Sequence, residues 1–116
     1  MGGVYVLRDS SRGQTSVLEI SVNGLPIAKT APKTFTQVNL KKGRYYIGGR
    51  GENYTQIELN IDSGKKYFIR QVVTTGWNDF RNEFQIMELG EVENSIADLR
   101  LVRKIARDSD LKPMPE

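Results

Sequence analysis

The stretch YTQIELNID, residues 54–62, decides the fold class. In it, apolar Ile57, Leu59 and Ile61 alternate with polar residues, so one side of the segment is apolar and the other is polar. A β-strand places successive side chains on opposite faces, and this alternation is therefore typical of a half-buried strand. The sequence predicts that sheet structure organises the chain.

Similar short segments recur along the chain. Residues 16–23 repeat the alternation, and residues 67–73 are apolar on both faces, which predicts a central strand covered from both sides. Weaker segments complete a set of eight predicted strands: residues 4–8, 27–30, 35–40, 44–48 and 83–89. Eight short strands at such regular intervals indicate a mainly β protein, either a two-sheet sandwich or a barrel.

The predicted turns contain the residues that tight turns require. Asn23-Gly24 suits a two-residue type I′ hairpin, and Pro26 predicts that the following strand lies at a sheet edge. Residues 41–43 (Lys-Lys-Gly) and 62–64 (Asp-Ser-Gly) each place a glycine where a hairpin needs a left-handed residue. Residues 48–51, Gly-Gly-Arg-Gly, are predicted to form a looser hairpin loop.

The hydrophobic period changes after Gly90. Apolar residues from Val92 to Ala106 recur at spacings of three and four, with acidic residues at the start and basic residues at the end of this stretch. This pattern predicts a helix at about 92–107 that packs on the sheets and ends a single domain spanning residues 1–107. Residues 108–116, with two prolines, are predicted to form a flexible C-terminal tail.

The charge of the chain is ordinary. Seventeen Lys and Arg residues oppose 14 acidic residues, a formal net charge of +3, which does not by itself indicate nucleic acid or an anionic membrane as a partner. Two basic pairs, Lys41-Lys42 and Lys65-Lys66, each lie beside a glycine. We interpret both runs as solvated turns.

The composition argues against catalysis. The chain has neither cysteine nor histidine, so it lacks thiolate nucleophiles, the usual proton shuttle at neutral pH and the commonest metal ligands. Acidic residues such as Glu19 and Glu58 alternate with apolar ones, as expected for the solvent side of strands. We therefore expect no enzyme, no catalytic residues, no metal site and no cofactor.

The sequence also bears on membranes and export. No run reaches the ~18 apolar residues of a membrane span, so no transmembrane span is expected. Met1-Gly2-Gly3 leads directly into an apolar strand without a signal peptide, and we expect that a targeting segment or lipid anchor has been removed from upstream of it.

The candidate binding residues are Trp77, Phe80 and Arg81. They lie in the aperiodic stretch 74–82 between two predicted strands, which contains the only tryptophan. Trp and Arg are enriched at binding hot spots, and loops on rigid sandwiches commonly carry function. In the other interpretation, Trp77 or Phe80 folds back and covers one open end of the sandwich.

Residues 44–54 offer a different candidate, single-stranded nucleic acid bound on a β-barrel. Arg44, Arg50 and neighbouring tyrosines interleave basic and aromatic side chains, which is the pattern of such surfaces. Tyr45 shares a face with Ile47, however, so only Tyr46 of this pair is expected to be free for stacking.

The order of these motifs resembles a known family. The residues that carry the resemblance are 20–24 (ISVNG), 35–40, 42–45 (KGRY) and 64–70 (GKKYFIR). In this order they resemble a bacterial domain family of unknown function, number 2846, which is similar in pattern to PEGA-type modules. The resemblance covers about residues 4–102 and implies an antiparallel sandwich of transthyretin-like or immunoglobulin-like character with seven or eight strands.

The resemblance also implies a location. Such domains occur in exported bacterial proteins, often lipoproteins, and the family supplies no catalytic residues. We therefore expect a non-catalytic binding or structural module of the cell envelope or periplasm that recognises a protein or an envelope polymer. Binding of single-stranded nucleic acid is the alternative.

Overall fold

The computed structural model describes residues 1–10, 17–75, 77 and 80–115, with the backbone alone for Thr75 and Phe80. The described residues form two sheets, and the prediction of a mainly β, two-sheet fold is confirmed. The nine strands are β1 (Gly2–Arg8), β2 (Leu18–Val22), β3 (Leu25–Thr30), β4 (Thr34–Leu40), β5 (Gly43–Arg50), β6 (Tyr54–Ile61), β7 (Lys66–Thr75), β8 (Phe80–Ile86) and β9 (Arg100–Leu101). All eight predicted strands are present, with shifted bounds; Ser16, the predicted start of the second strand, lies outside the described residues.

The five-stranded sheet has the order β8-β7-β1-β4-β9, and the four-stranded sheet has the order β3-β2-β5-β6. Most neighbouring strands are antiparallel, but two pairs, β1 with β7 and β4 with β9, are parallel. As predicted, β7 is an internal strand and the strand that contains Pro26 is an edge strand. The first and fourth strands of the chain therefore lie side by side at the centre of the same sheet.

The apolar core lies between the two sheets. It is filled by inward-facing residues that alternate with exposed ones along each strand. Buried members include Val4, Val6, Ile20, Val38, Tyr45, Ile47, Ile61 and Ile69. A second apolar cluster, built on Leu7, Met87, Val92 and Leu99, covers the outer face of the five-stranded sheet.

The glycine predictions are partly wrong. Asn23 and Gly24 have φ of 50° and 82°, as a type I′ hairpin between β2 and β3 requires. Gly43, just after residues 41–42, and Gly64, within residues 62–65, do have positive φ. Neither connection is a hairpin, however, because each joins a strand of one sheet to a strand of the other. Residues 48–50 do not form a loop: Gly48 and Gly49 are buried in β5, which pairs with β2 and β6.

The predicted helix at 92–107 is wrong in its bounds. The helix α1 spans Leu89–Ser95 and is followed by a 3₁₀ turn at Ile96–Asp98. Beyond Leu99 the chain forms β9 and then an irregular segment with a second 3₁₀ turn at Asp108–Asp110. It does not continue as a helix because the edges of β4 and β3 accept its backbone hydrogen bonds: Val102 N–H donates to Phe35 O and Ile105 N–H donates to Ile27 O. The helical part does pack on the sheets, as predicted, through Val92.

The predicted flexible tail is instead packed against the sandwich. Leu111 is buried in the main core, and Met114 N–H donates to Arg44 O at 2.8 Å. The side chain of Pro113 lies against Gly43, whose missing Cβ makes room for it. Apolar and backbone contacts therefore fix residues 108–115, and we call residues 99–115 the C-terminal strap.

The two ends of the sandwich are built differently. At the loop end lie the last residues of β1, β3, β5 and β7 and, in the connections that follow them, the described residues 9–10, 17, 31–33, 51–53 and 77. At the capped end lie residues 23–24, 41–42, 62–65 and 87–88, together with the last residues of the C-terminal strap. No helix in the part of the chain that the structure describes has the length and apolarity to cross a bilayer.

Candidate binding site at the loop end

Trp77 lies at the tip of the loop end. Its side chain is 93% exposed, so it does not fold back over the core. Its backbone N–H donates to Glu52 Oε2 at 2.8 Å. The indole therefore projects into solvent from a backbone that is tied to the neighbouring connection.

Glu52 also faces the second candidate residue. Its Oε2 lies 3.9 Å from Nη1 of Arg81, and its side chain is only 16% exposed, against 51% for Arg81. One carboxylate thus contacts both sides of the turn between β7 and β8. Phe80, the third candidate, begins β8 opposite Thr75, and its side chain lies outside the described residues.

Beneath this turn, Asn53 and Asn82 join the two sheets. Asn82 N–H donates to Asn53 Oδ1 at 2.8 Å, and Asn53 Nδ2 donates to Asn82 O at 2.9 Å. The Asn82 side chain, which is buried, also donates to Gly49 O. A Cβ at Gly49 would collide with the Asn82 side chain and the Phe84 ring, so glycine is needed there for the close approach.

A chain of buried polar groups continues inward from Asn82. Gln71 Nε2 donates to Asn82 Oδ1 at 3.1 Å, and Thr30 Oγ1 donates to Gln71 Oε1 at 2.7 Å. Arg8 Nη1 donates to Thr30 O at 2.7 Å. Buried polar groups need such partners, because leaving one unpaired costs about 1–3 kcal/mol. The loop end therefore rests on a hydrogen-bonded interior that crosses between the sheets.

Arg8 is the cationic member of this chain. It is fully buried, and desolvation by burial lowers its pKa below the ordinary arginine value. Its neighbour Asp9 faces outward into a separate ion-pair network. A fully buried guanidinium and a largely buried, ion-paired carboxylate thus lie next to each other where β1 ends.

The Asp9 network ties helix α1 to the loop end. Arg70 Nε donates to both carboxylate oxygens of Asp9, and Arg70 Nη1 donates to Glu91 Oε2 at 3.0 Å. Ser95 Oγ donates to Asp9 Oδ2. Burial acts to lower the pKa of Arg70, but its bonds to Asp9 and Glu91 outweigh burial and raise it. The network connects β1, β7 and α1.

The region predicted for nucleic acid lies on the outer face of the four-stranded sheet. Tyr45 is buried, as expected, and its hydroxyl donates to Lys41 O. Tyr46 is not free: its hydroxyl donates to Glu58, which lies 3.8 Å from Arg44. Arg50 covers the ring of Tyr54 at 5.0 Å. Arg44 likewise lies over the ring of Tyr46, so each of these two tyrosine rings already contacts a guanidinium group.

The sequence predicted the exposed candidate residues but not the hydrogen-bonded residues that support them. Trp77 and Arg81 were identified by residue type, but Glu52, Asn82 and Gln71 were not. One signal was available, because Gln71 stands between Ile69 and Val73 on the inward face of β7. A polar residue at such a position predicts a buried hydrogen-bonding partner on another strand.

Comparison with known proteins gives a family without an assigned activity. A protein of Haemophilus influenzae (strain ATCC 51907 / DSM 11121 / KW20 / Rd), described as "Uncharacterized protein", is 34% identical over 76 residues, which span 64% of this chain and 45% of that protein. The chain therefore corresponds to less than half the length of this relative. No solved structure matches the chain significantly. A family model matches residues 1–83, which confirms the predicted resemblance to family 2846 over that range, and the chain belongs to the family described as "Protein of unknown function (DUF2846)".

Proposed function

We propose that this chain is a non-catalytic binding module of a bacterial cell-envelope protein, and that its loop end recognises a partner protein through Trp77 and Arg81. One observation carries the proposal: Trp77 is 93% exposed on a backbone held by Glu52. A large apolar side chain so exposed gains free energy when a partner covers it.

The arrangement suits recognition by a protein. Tryptophan and arginine dominate binding hot spots, where truncation of one side chain costs about 2 kcal/mol or more. The bond from Trp77 N–H to Glu52 restricts the backbone before binding, which reduces the entropy lost on association. Arg81 stands beside the same carboxylate and adds a charged donor at the rim.

The composition supports a role without catalysis. The chain lacks histidine and cysteine, and the polar side chains below the loop end, Thr30, Gln71, Asn82 and Asn53, bond to one another. These groups are amides and a hydroxyl, which transfer protons poorly at neutral pH. Their role is to stabilise the backbone of the loop end beneath Trp77.

Location in the envelope is the part of the proposal that depends on the family resemblance. Fractionation of the source bacterium, followed by an immunoblot for the native protein, tests it. We expect the protein in the periplasmic or membrane fraction. Recovery with cytosolic markers alone contradicts the envelope role but leaves the binding role of Trp77 open.

Site-specific photocrosslinking tests the binding role. A photoreactive residue replaces Trp77 in cells of the source bacterium, and adducts are identified by mass spectrometry. We expect an adduct of discrete size that is absent when the same group replaces Ile105, which is 66% exposed on the C-terminal strap. Equal adduct patterns from both positions contradict the proposal.

The identified partner then permits a quantitative test. We expect Trp77→Ala to weaken binding about 30-fold and Arg81→Ala about fivefold, because a hot spot is worth about 2 kcal/mol and a rim charge about 1. Ile105→Ala is the matched control and should bind like the wild type. If Trp77→Ala binds as tightly as Ile105→Ala, the indole is not the contact.

Single-stranded nucleic acid remains the second candidate because Arg50 lies over Tyr54 on an exposed sheet face. It has less support, since Glu58 opposes Arg44 and engages Tyr46. A titration with single-stranded oligonucleotides at low salt separates the two candidates. Nucleic-acid binding requires an affinity that falls steeply with salt and is lost in Arg50→Gln.

A further inference from the structure

The capped end collects basic residues from distant parts of the sequence. Gly2 lies opposite Leu40 on one side of β1, and Gly3 lies opposite Lys66 on the other. Adjacent strands are about 4.8 Å apart, so Leu40 and Lys66 are separated by roughly 10 Å. The pairs Lys41-Lys42 and Lys65-Lys66 therefore emerge side by side, although 22 residues of chain lie between them.

Two further cations join them. Lys112 O accepts a hydrogen bond from Asn23 Nδ2, which places Lys112 at the hairpin of the same end. Arg44 shares a hollow with Lys42 and Pro113. The capped end thus presents six exposed cations: Lys41, Lys42, Arg44, Lys65, Lys66 and Lys112.

Few carboxylates oppose these cations. Asp62 lies 3.7 Å from Lys65, and Glu58 lies 3.8 Å from Arg44. Within the residues that the structure describes, no carboxylate lies within 4 Å of the ammonium groups of Lys41, Lys42, Lys66 or Lys112. Among the described residues, Asp62, Glu58 and Glu88 are fewer than the six cations, so basic groups outnumber the acidic groups beside them.

Exposed aliphatic side chains adjoin this basic surface. A hollow of about 510 Å³ begins at Lys66 and is lined by Tyr67, Phe68, Ile86, Met87 and Leu89. Ile86 and Leu89 are 61% and 62% exposed. Solvent-exposed isoleucine and leucine beside lysines form a surface that is apolar and cationic at once.

We propose that the capped end docks on an anionic lipid membrane surface, with the lysines over the headgroups and Ile86 and Leu89 reaching the acyl boundary. Lysines near a negatively charged bilayer each add attraction, and exposed aliphatic side chains add burial that a soluble polyanion does not offer. Nucleic acid fits this end less well, because Tyr67 is half-buried and its hydroxyl is bonded to Asp62 N–H. This docking does not depend on the role proposed for Trp77, which lies at the opposite end.

Co-sedimentation with lipid vesicles tests the proposal. The intact chain is mixed at low salt with vesicles of phosphatidylcholine alone or with added phosphatidylglycerol. We expect binding to the anionic vesicles, weakening as salt rises, and little binding to the neutral ones. Equal binding to both kinds of vesicle, or none to either, overturns the proposal.

The charged residues are tested by two triple variants of equal net charge. Lys41→Gln/Lys42→Gln/Lys66→Gln removes cations from the capped end, and Lys29→Gln/Lys33→Gln/Arg100→Gln removes three exposed cations elsewhere. At about fivefold for each basic residue, the first variant should bind about a hundredfold more weakly, and the control should lose less than about fivefold. Equal losses would mean that net charge alone drives binding and would overturn the assignment to this end.

The apolar residues distinguish a bilayer from a free polyanion. Ile86→Thr/Leu89→Ser keeps every charge and should weaken vesicle binding at least about fivefold while leaving retention on immobilised heparin unchanged. If this variant binds vesicles like the wild type, the aliphatic contact is wrong. If heparin or a single-stranded oligonucleotide binds the wild type more tightly than anionic vesicles do, the surface serves a soluble polyanion and the membrane proposal fails.

Discussion

The two ends of this sandwich close the apolar interior in different ways. At the capped end, the C-terminal strap closes the interior with an apolar side chain, Leu111, which is 4% exposed. At the loop end, Asn82 and Gln71 close it with hydrogen bonds to Gly49 and Thr30 that cross between the sheets. Apolar closure tolerates small shifts, whereas hydrogen-bonded closure holds the backbone in a defined geometry. That geometry suits the end that presents Trp77.

The largest effect is expected at the capped end. Leu111→Ala removes a buried side chain from the main core and should lower the free energy of unfolding by about 3 kcal/mol. Urea denaturation followed by circular dichroism measures the change. Ser109→Ala, at an exposed position on the same strap, should change it by less than about 0.5 kcal/mol. A Leu111→Ala protein as stable as Ser109→Ala would show that the strap does not close this end.

At the loop end, Asn82→Ala should cost about 2 kcal/mol, because it leaves Gln71 and Asn53 without their buried partner. Asn60→Ala, at an exposed position, is the matched control in the same denaturation assay. The double variant Gln71→Ala/Asn82→Ala should cost less than the sum of the two single variants. Strict additivity would argue against a connected polar interior.

A smaller effect is expected from pH at the network that ties α1 to the loop end. Hydrogen bonding from Glu88 N–H, and then from Arg70, holds the pKa of Glu91 below its ordinary value. A carboxylate with a depressed pKa in the folded state stabilises the fold above its unfolded pKa, about 4.3, and this stabilisation disappears as pH falls through the folded value. Melting temperatures of the wild type and Glu91→Gln should therefore differ at neutral pH and converge as pH falls through the lowered folded pKa of Glu91. A difference that persists in acid would assign the effect to packing.

The smallest effect on stability is expected for Trp77→Ala. Because the indole is almost fully exposed, the free energy of unfolding should change by less than about 0.5 kcal/mol. As the only tryptophan, Trp77 also reports its own environment, and its fluorescence should be quenched readily by acrylamide in the free protein. A stability loss comparable with that of Asn82→Ala would place the indole in the interior of the loop end.

The sandwich itself was predictable from the sequence because its strands carry the information locally. Ile57, Leu59 and Ile61 alternate with polar residues, and Asn23-Gly24 has the residue types of a type I′ turn. The C-terminal strap was not predictable in this way. Its apolar residues fit a helical period, yet the edges of β3 and β4 offer it backbone partners that an isolated helix does not see. Tertiary hydrogen bonds outweighed local periodicity.

The two proposed binding surfaces differ in the same way: one could be predicted from local sequence and the other could not. Trp77 and Arg81 stood out by residue type within one short stretch. The basic surface did not, because Lys41-Lys42 and Lys65-Lys66 each suggest an ordinary solvated turn when taken alone. Only the parallel pairing of β1 with β7 places the two runs next to each other. Sequence reasoning about charge fails where topology determines which charges are neighbours.

That parallel pairing also bears on how the protein is made. Among the described strands, β1 is synthesised first, and its two neighbours are β4 and β7, so β1 lacks one of its partners until Thr75 has been synthesised. Until then the side chains of Val4, Val6 and Leu7, which are buried in the folded protein, lack the contacts that bury them. Pairings between segments so far apart in the chain slow folding and favour aggregation of the nascent polypeptide. Truncated products that end before β7 should therefore accumulate in inclusion bodies or be degraded.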